Sequence, residues 1–141
     1  MVTRYIPAEM VGLSGDESGL GRRFVSALSA KDKEGLAALF DPQVDFRGLT
    51  PGDEWRATTP DGVVEVVLGS WFEPTDHVRE VMNVEARLFE DRYQLRYRLH
   101  VENDDGMFVV EQQGYYSAEQ GRITRMSVVC SGFRPSKTSA G

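Results

Sequence analysis

The chain has 141 residues and a mass of 15.8 kDa, enough for one domain that buries roughly two-thirds of its unfolded surface without staples. With 16 basic and 22 acidic side chains, a net charge of -6 and a pI near 4.9, it lacks the cationic surplus of a duplex-binding protein, so no nucleic acid partner is expected. Hydrophobic content of 40%, charged content of 27% and a mean hydropathy of -0.37 exclude disordered, collagenous and coiled-coil classes.

The first elements are helical. Residues 1–17 carry Pro7, Gly12 and Gly15 without sustained periodicity and read as an N-terminal arm ahead of one domain over 18–134. From Ser18 on, Leu20, Phe24, Ala27 and Leu28 fall at helical spacing. A short second helix follows at Leu36, Leu39 and Phe40, with Ser29 and Asp32 as a capping pair and Pro42 as its end. Val44, Asp45 and Phe46 form a brief strand that stops at Gly48, before a loop holding Pro51, Gly52 and Trp55. Thr59-Pro60 opens a third helix, an N-cap followed by a proline whose missing N–H is not needed there. Val64, Val67, Leu68 and Trp71 share one face of it, and Pro74 ends it.

Beyond His77 the period changes to two. Four long runs, split at Glu90-Asp91-Arg92, Asn103-Asp104-Asp105-Gly106 and Glu119-Gln120-Gly121, form an antiparallel meander to Phe133, and residues 135–141 read as a frayed tail. Helices gathered ahead of strands predict an α+β domain in the order α-α-β-α-β-β-β-β. Three helices pack on a curved antiparallel sheet of one short and four long strands.

Alternation assigns faces. Met82, Val84, Ala86 and Leu88 share a side of the first long strand, as do Leu95, Tyr97, Leu99 and Val101 of the second. Pairing around the Asp104-Asp105 turn sets Tyr97 opposite Gln112, Leu99 opposite Val110 and Val101 opposite Phe108, and the inward set continues to Gly114 and Tyr116. A slip of one residue would turn Val109, Glu111, Gln113 and Tyr115 inward instead. In the last strand Met126, Val128 and Cys130 face in. Tyr97, Gln112 and Tyr116 put three polar groups on an otherwise apolar face, with Gly114 leaving room beside them, and together they favour a pocket over a sealed core.

The order of elements, with LAALFDPQVDFRGL, VVEVVLGSWF and the hairpin strand YYSAEQGRITRMSVV, resembles SnoaL-like and ketosteroid-isomerase-like members of the nuclear-transport-factor-two-like superfamily. The resemblance covers about Leu20 to Phe133. It implies a cone whose open end admits a small apolar ligand, and a homodimer through the outer sheet face, where Val109, Tyr115 and Val129 point. Two catalytic positions do not carry over. Phe46 stands where the ketosteroid-isomerase-like base lies, with Asp45 one residue away, and Gly114 stands where SnoaL-like cyclases carry an acid.

Two readings follow. In the first the protein is a cofactor-free isomerase, cyclase or dehydratase acting on a polyketide-like or terpenoid-like compound. Tyr97, Gln112 and Tyr116 would orient the substrate, Asp45 would be the base, and Phe46, Trp55, Trp71, Met126, Val128 and Cys130 would form walls. In the second the same fold is a non-catalytic ligand-binding or dimerisation module, which the two missing acids favour. His77 and His100 lie far apart with no ligand cluster, so no metal is expected, and no glycine pattern implies a nucleotide or another cofactor. The longest apolar run, Val63 to Leu68, is broken by Glu65 and is far shorter than the ~20 residues that span a bilayer, so no membrane role is expected. The single cysteine, Cys130, excludes an internal disulfide, and the opening MVTRYIPAEM lacks a secretory leader, so the chain reads as cytoplasmic.

Overall fold

A computed structural model describes residues 8–136, with side chains from residue 17 onward. The first seven residues of the expected arm and residues 137–141 of the expected tail lie outside that range. Helix α1 spans Ala8–Ala30, so it starts ten residues ahead of the apolar spacing that announces it at Ser18. Its inner face buries Leu20, Phe24 and Leu28, and each such side chain stabilises the fold by about 1.5–3 kcal/mol.

Ser29 does not cap the second helix. Helix α1 closes with Lys31 at φ 58°, the Lys31 N–H donating to Leu28 O at 3.1 Å and the Asp32 N–H to Ala27 O at 2.9 Å. This is a Schellman closure with lysine in the left-handed position usually held by glycine. It keeps Ser29 inside α1, where its hydroxyl donates to Val25 O at 2.7 Å. Asp32 alone then caps α2, Lys33–Ala37, accepting from the Gly35 N–H at 2.9 Å.

Strand β1, Phe40–Thr50, is longer than the expected three residues and takes in Pro42. Its pairing with the last long strand is irregular between Phe40 and Asp45, where a residue lacking an N–H can sit. A tight turn leads into β2, Asp53–Ala57, so Trp55 lies on a strand and not in a loop. Helix α3, Pro60–Val64, starts as its sequence requires, with Thr59 Oγ1 accepting from the Gly62 N–H at 3.0 Å. It then widens into a π-helical segment over Glu65–Trp71, where the Phe72 N–H donates to Val67 O at 2.9 Å, five residues back. The buried set there is Val63, Val66, Val67, Leu68 and Trp71, with Val64 only half-buried.

The four long strands are β3, His77–Phe89; β4, Arg92–Asn103; β5, Gly106–Glu119; and β6, Arg122–Cys130. They pair antiparallel in sequence order, as the alternation predicts. The sheet as a whole is mixed, because β1 joins β6 in parallel; the order is β2-β1-β6-β5-β4-β3, in a curved, unclosed sheet, with all three helices ahead of the four long strands in sequence. A two-residue strand β7, Arg134–Pro135, pairs with Val109 and Phe108 of β5, so the chain stays on the sheet past Phe133.

The β4–β5 register is the one expected: Tyr97 opposite Gln112, Leu99 opposite Val110, Val101 opposite Phe108. Strand β3 departs from strict alternation. A bulge between Met82 and Glu85, with Asn83 at φ 56°, places Met82 opposite Arg98 on the outer face, while Ala86 stays opposite Leu95. Leu88 is exposed at the sheet's edge.

Candidate functional site

Register lays the inner face out in rows. One row runs Tyr93, Tyr116, Met126, Phe46 and Ala57 across β4, β5, β6, β1 and β2; the next runs Leu95, Gly114, Val128, Gly48 and Trp55. A third joins Tyr97, Gln112 and Cys130. At that end the π-helical segment crosses the sheet. The Trp71 indole rests on Gly48, where a Cβ would come within 2.4 Å of the ring, and its centroid lies 5.8 Å from that of Phe46. Around it opens a depression of about 170 Å³ lined by Thr50, Trp55, Trp71, Phe72, Cys130 and Phe133, among others.

The interior itself is filled. Tyr97 and Tyr116 are each 1% exposed, and Gln112 and Phe46 are at 0%, which leaves no guest-sized chamber against their side chains. The reason is packing. The Phe24 ring lies 6.2 Å from Phe40 and 6.3 Å from Tyr97, and the Tyr93 and Tyr116 rings stack at 5.2 Å. Gly114 leaves no room either, because a Cβ there would come within 1.8 Å of Ser127 O; the glycine permits close approach of β5 and β6.

The two tyrosines settle their hydroxyls differently. The Tyr116 hydroxyl accepts from the Gly21 N–H at 2.9 Å and lies 2.7 Å from Glu17 O, to which it donates. It is inserted into the backbone ladder of α1 where a direct bond from Gly21 to Glu17 would otherwise run. Burial raises its pKa to about 12. The Tyr97 hydroxyl donates to Gln112 Oε1, and burial, followed by the adjacent Cys130 thiol, holds its pKa well above the ordinary value. Gln112 Nε2 then has no partner among the described residues, and neither does Trp71 Nε1, although both are buried. An orphaned buried donor forfeits about 1–3 kcal/mol.

The other candidates are dispersed. Asp45 is not brought to the row of Tyr97 and Gln112; it sits on the outer face, 3.4 Å from Arg47 and 3.9 Å from Arg125. Glu111, inward only in the slipped register, lies outside between Arg96 at 3.2 Å and Arg98 at 2.9 Å, and the Arg98 hydrogen bond leads the effects that lower its pKa. His100 reaches Glu80 across the strand pair at 3.2 Å. Of the six wall residues, Trp55, Trp71 and Cys130 line the depression, whereas Phe46, Met126 and Val128 are core. Phe72 and Phe133, 5.8 Å apart, also line it and were not foreseen; a lone glycine inside a strand, Gly48, was the available sign of a close approach there. Among the described residues no group of three or more His, Cys, Asp or Glu side chains could hold a metal, and no helix is long and apolar enough to cross a membrane.

No family model and no curated protein matches the sequence. Solved structures do match its shape. A provisionally assigned isomerase from Bacillus subtilis superposes with a TM-score of 0.69 at 13% identity, over 83% of this chain and 87% of that one. A nuclear-transport-factor-two-like protein of unknown function from Mesorhizobium loti gives 0.63 at 18% identity, over 84% of this chain and 93% of that one. The chain has the nuclear-transport-factor-two-like, ketosteroid-isomerase-like fold. A provisionally assigned polyketide cyclase from Pseudomonas putida KT2440 shares this fold at 0.63 and 14% identity, over 79% of this chain and 89% of that one. At such identities the likeness carries the nuclear-transport-factor-two-like architecture and leaves the chemistry to the residues.

Proposed function

We propose that the protein is a small-molecule binding module that seats an apolar ligand bearing a hydrogen-bond acceptor at the depression beside Trp71 and Cys130. The observation that carries this is the Trp71 Nε1 donor, which has no hydrogen-bond partner among the described residues and belongs to a side chain on the wall of the depression. An acceptor atom there would satisfy a donor that the fold leaves idle, and such sites discriminate strongly against analogues lacking the acceptor. Aromatic walls supply the apolar part.

A catalytic reading, as a cofactor-free isomerase, cyclase or dehydratase, draws on the Tyr97 to Gln112 hydrogen bond. That bond would polarise the amide toward a developing negative oxygen. It lacks a base, because Asp45 and Glu111 are both engaged by arginines on the outer face. Binding is therefore the better-supported function.

Acetylnaphthalene and its hydrocarbon isostere ethylnaphthalene separate these outcomes by tryptophan fluorescence. The ketone should quench saturably and at least about tenfold more tightly than the hydrocarbon, as one satisfied donor predicts. Trp71→Phe, which removes the indole N–H and leaves Trp55 as the fluorophore, should abolish the preference. Equal affinity, or no saturable quenching, would overturn the reading, and chemical conversion of the ketone would replace it with the catalytic one.

We further propose a homodimer through the outer sheet face. Leu49, Tyr115 and Val129 are 50%, 42% and 52% exposed and border one groove of about 470 Å³, with Leu49 paired to Val129. Light scattering should give twice 15.8 kDa, and Val129→Arg should return the monomer mass. A native mass near 15.8 kDa would exclude the dimer.

A further inference from the structure

A second cleft, of about 510 Å³, lies between the α1–α2 junction, the end of the π-helical segment and the start of β3. Its apolar lining is Leu68, Pro74 and Val78, and its basic lining is Lys31, Lys33 and Arg79. Three cations thus gather on a chain of net charge -6, and the one carboxylate among the lining residues, Asp76, is already committed. Its Oδ2 accepts from the Glu73 N–H and its Oδ1 from Asn103 Nδ2, both at 2.9 Å.

The cations keep unused donors. Lys31 Nζ donates to Glu73 O at 2.7 Å and Phe72 O at 3.4 Å, which fixes the ammonium in place and leaves its third N–H over. Arg79 gives only Nε to Glu102, at 2.8 Å, so both terminal nitrogens of the guanidinium remain. Lys33 and the neighbouring His77 have no partner among the described residues. No glycine lines the cleft, so it lacks the backbone nest that cradles phosphate groups. What remains is a planar, forked cation beside a point charge above hydrocarbon, which suits one carboxylate carrying an apolar body.

We propose that this cleft is a binding site for small apolar carboxylates, the carboxylate held by Lys33 and Arg79 and the hydrocarbon laid against Leu68 and Val78. Phe72 separates it from the depression at Trp71: its side chain belongs to that depression, while its carbonyl is held by Lys31. The site goes beyond the function proposed above and does not depend on it.

Octanoate, octanamide and inorganic phosphate test the assignment on the full chain by calorimetry, with amide chemical-shift mapping. Octanoate should bind about tenfold or more tightly than octanamide, the difference one charge-assisted contact provides. Phosphate should not bind measurably, and the shifts should centre on Lys33, His77 and Val78. Lys33→Gln with Arg79→Gln, both solvent-facing, should leave the melting temperature within a few degrees and remove the preference for octanoate over octanamide. Equal binding of the acid and the amide, phosphate binding as tight as octanoate, a preference that survives the double substitution, or shifts centred on Trp71 and Cys130 would each overturn it. Those last shifts would leave the site at Trp71 intact, so the two proposals fail separately.

Discussion

The two polar rows on the inner face end in opposite ways, although both place a tyrosine among hydrocarbon about 13 Å apart along β4 and β5. In one, the Tyr116 hydroxyl is spliced between Gly21 and Glu17 of α1, so every group it meets is partnered. In the other, Tyr97 satisfies itself on Gln112 and hands the deficit on to an amide nitrogen with no partner among the described residues. A polar side chain on an inward position therefore says little about a pocket until its hydrogen bonds are followed to their end. The first row is architecture; the second, next to Trp71 and Cys130, retains an unused donor.

The sharpest way to break this contrast is at the seam between the rows. Gly114→Ala would drive a Cβ to 1.8 Å from Ser127 O, a backbone atom that can yield only if β5 and β6 separate. We expect a loss of about 3 kcal/mol, the upper end of overpacking penalties, read as a shift of the urea midpoint. A loss under about 1 kcal/mol would show that the strands can part, and with them the two rows.

Next in size is the test of the idle amide. Tyr97→Phe alone orphans Gln112 Oε1 as well as Nε2 and should lose about 1–3 kcal/mol, whereas Tyr97→Phe with Gln112→Leu removes all the polar atoms and should fall within about 1 kcal/mol of the parent. Tyr116→Phe should lose about 1 kcal/mol, because the Gly21 N–H and Glu17 O can close a direct helical bond once the hydroxyl is gone. A double variant less stable than Tyr97→Phe would mean that Gln112 is better satisfied than its contacts indicate.

Alkaline titration separates the rows more gently. Both phenols have raised pKa values in the folded chain, so their neutral forms are favoured there. The associated stability is complete below the unfolded pKa near 10.0 and is lost as pH rises. For Tyr116 the loss should level off at about 12, and for Tyr97 it should continue, since burial holds that phenol well above 10.0. Tyr116→Phe should make the decline of stability above pH 10.0 shallower. An unchanged slope would show that Tyr116 is not shielded in the fold.

Much of this was legible in the chain. Alternation favoured the pairing of Tyr97 with Gln112 over a slip that would have turned Glu111 and Gln113 into hydrocarbon, and Thr59-Pro60 marked the start of α3 by chemistry local to four residues. What escaped was decided by left-handed backbone turns at non-glycine residues or by contacts between strands. The bulge at Asn83 moves Met82 to the outer face, the Schellman closure at Lys31 displaces the expected cap, and the glycine at 114 is taken up by a neighbouring strand. Hollow and filled interiors share the same inward pattern. Only the packing of Phe24, Phe40 and Tyr97 distinguishes them, and that is set by how helices seat on the sheet.

The smallest expected effect bears most directly on function. Asp45 was the one acid near the position of a family base, yet it sits on the outer face with its carboxylate toward Arg47 and Arg125. Exposed pairs of this kind contribute about 0–1 kcal/mol, so Asp45→Asn should move stability by no more than about 0.5 kcal/mol. It should also leave the affinity for acetylnaphthalene unchanged, since neither Asp45 nor its arginines line the depression at Trp71. A ligand whose turnover fell with Asp45→Asn while its binding held would restore the acid to chemistry. That would require β1 to twist in solution by one residue, exchanging Phe46 for Asp45 at the core and breaking the Phe46 contact with Trp71. The exchange would strand a carboxylate among hydrocarbon, and that cost makes the null result for Asp45→Asn the expected one.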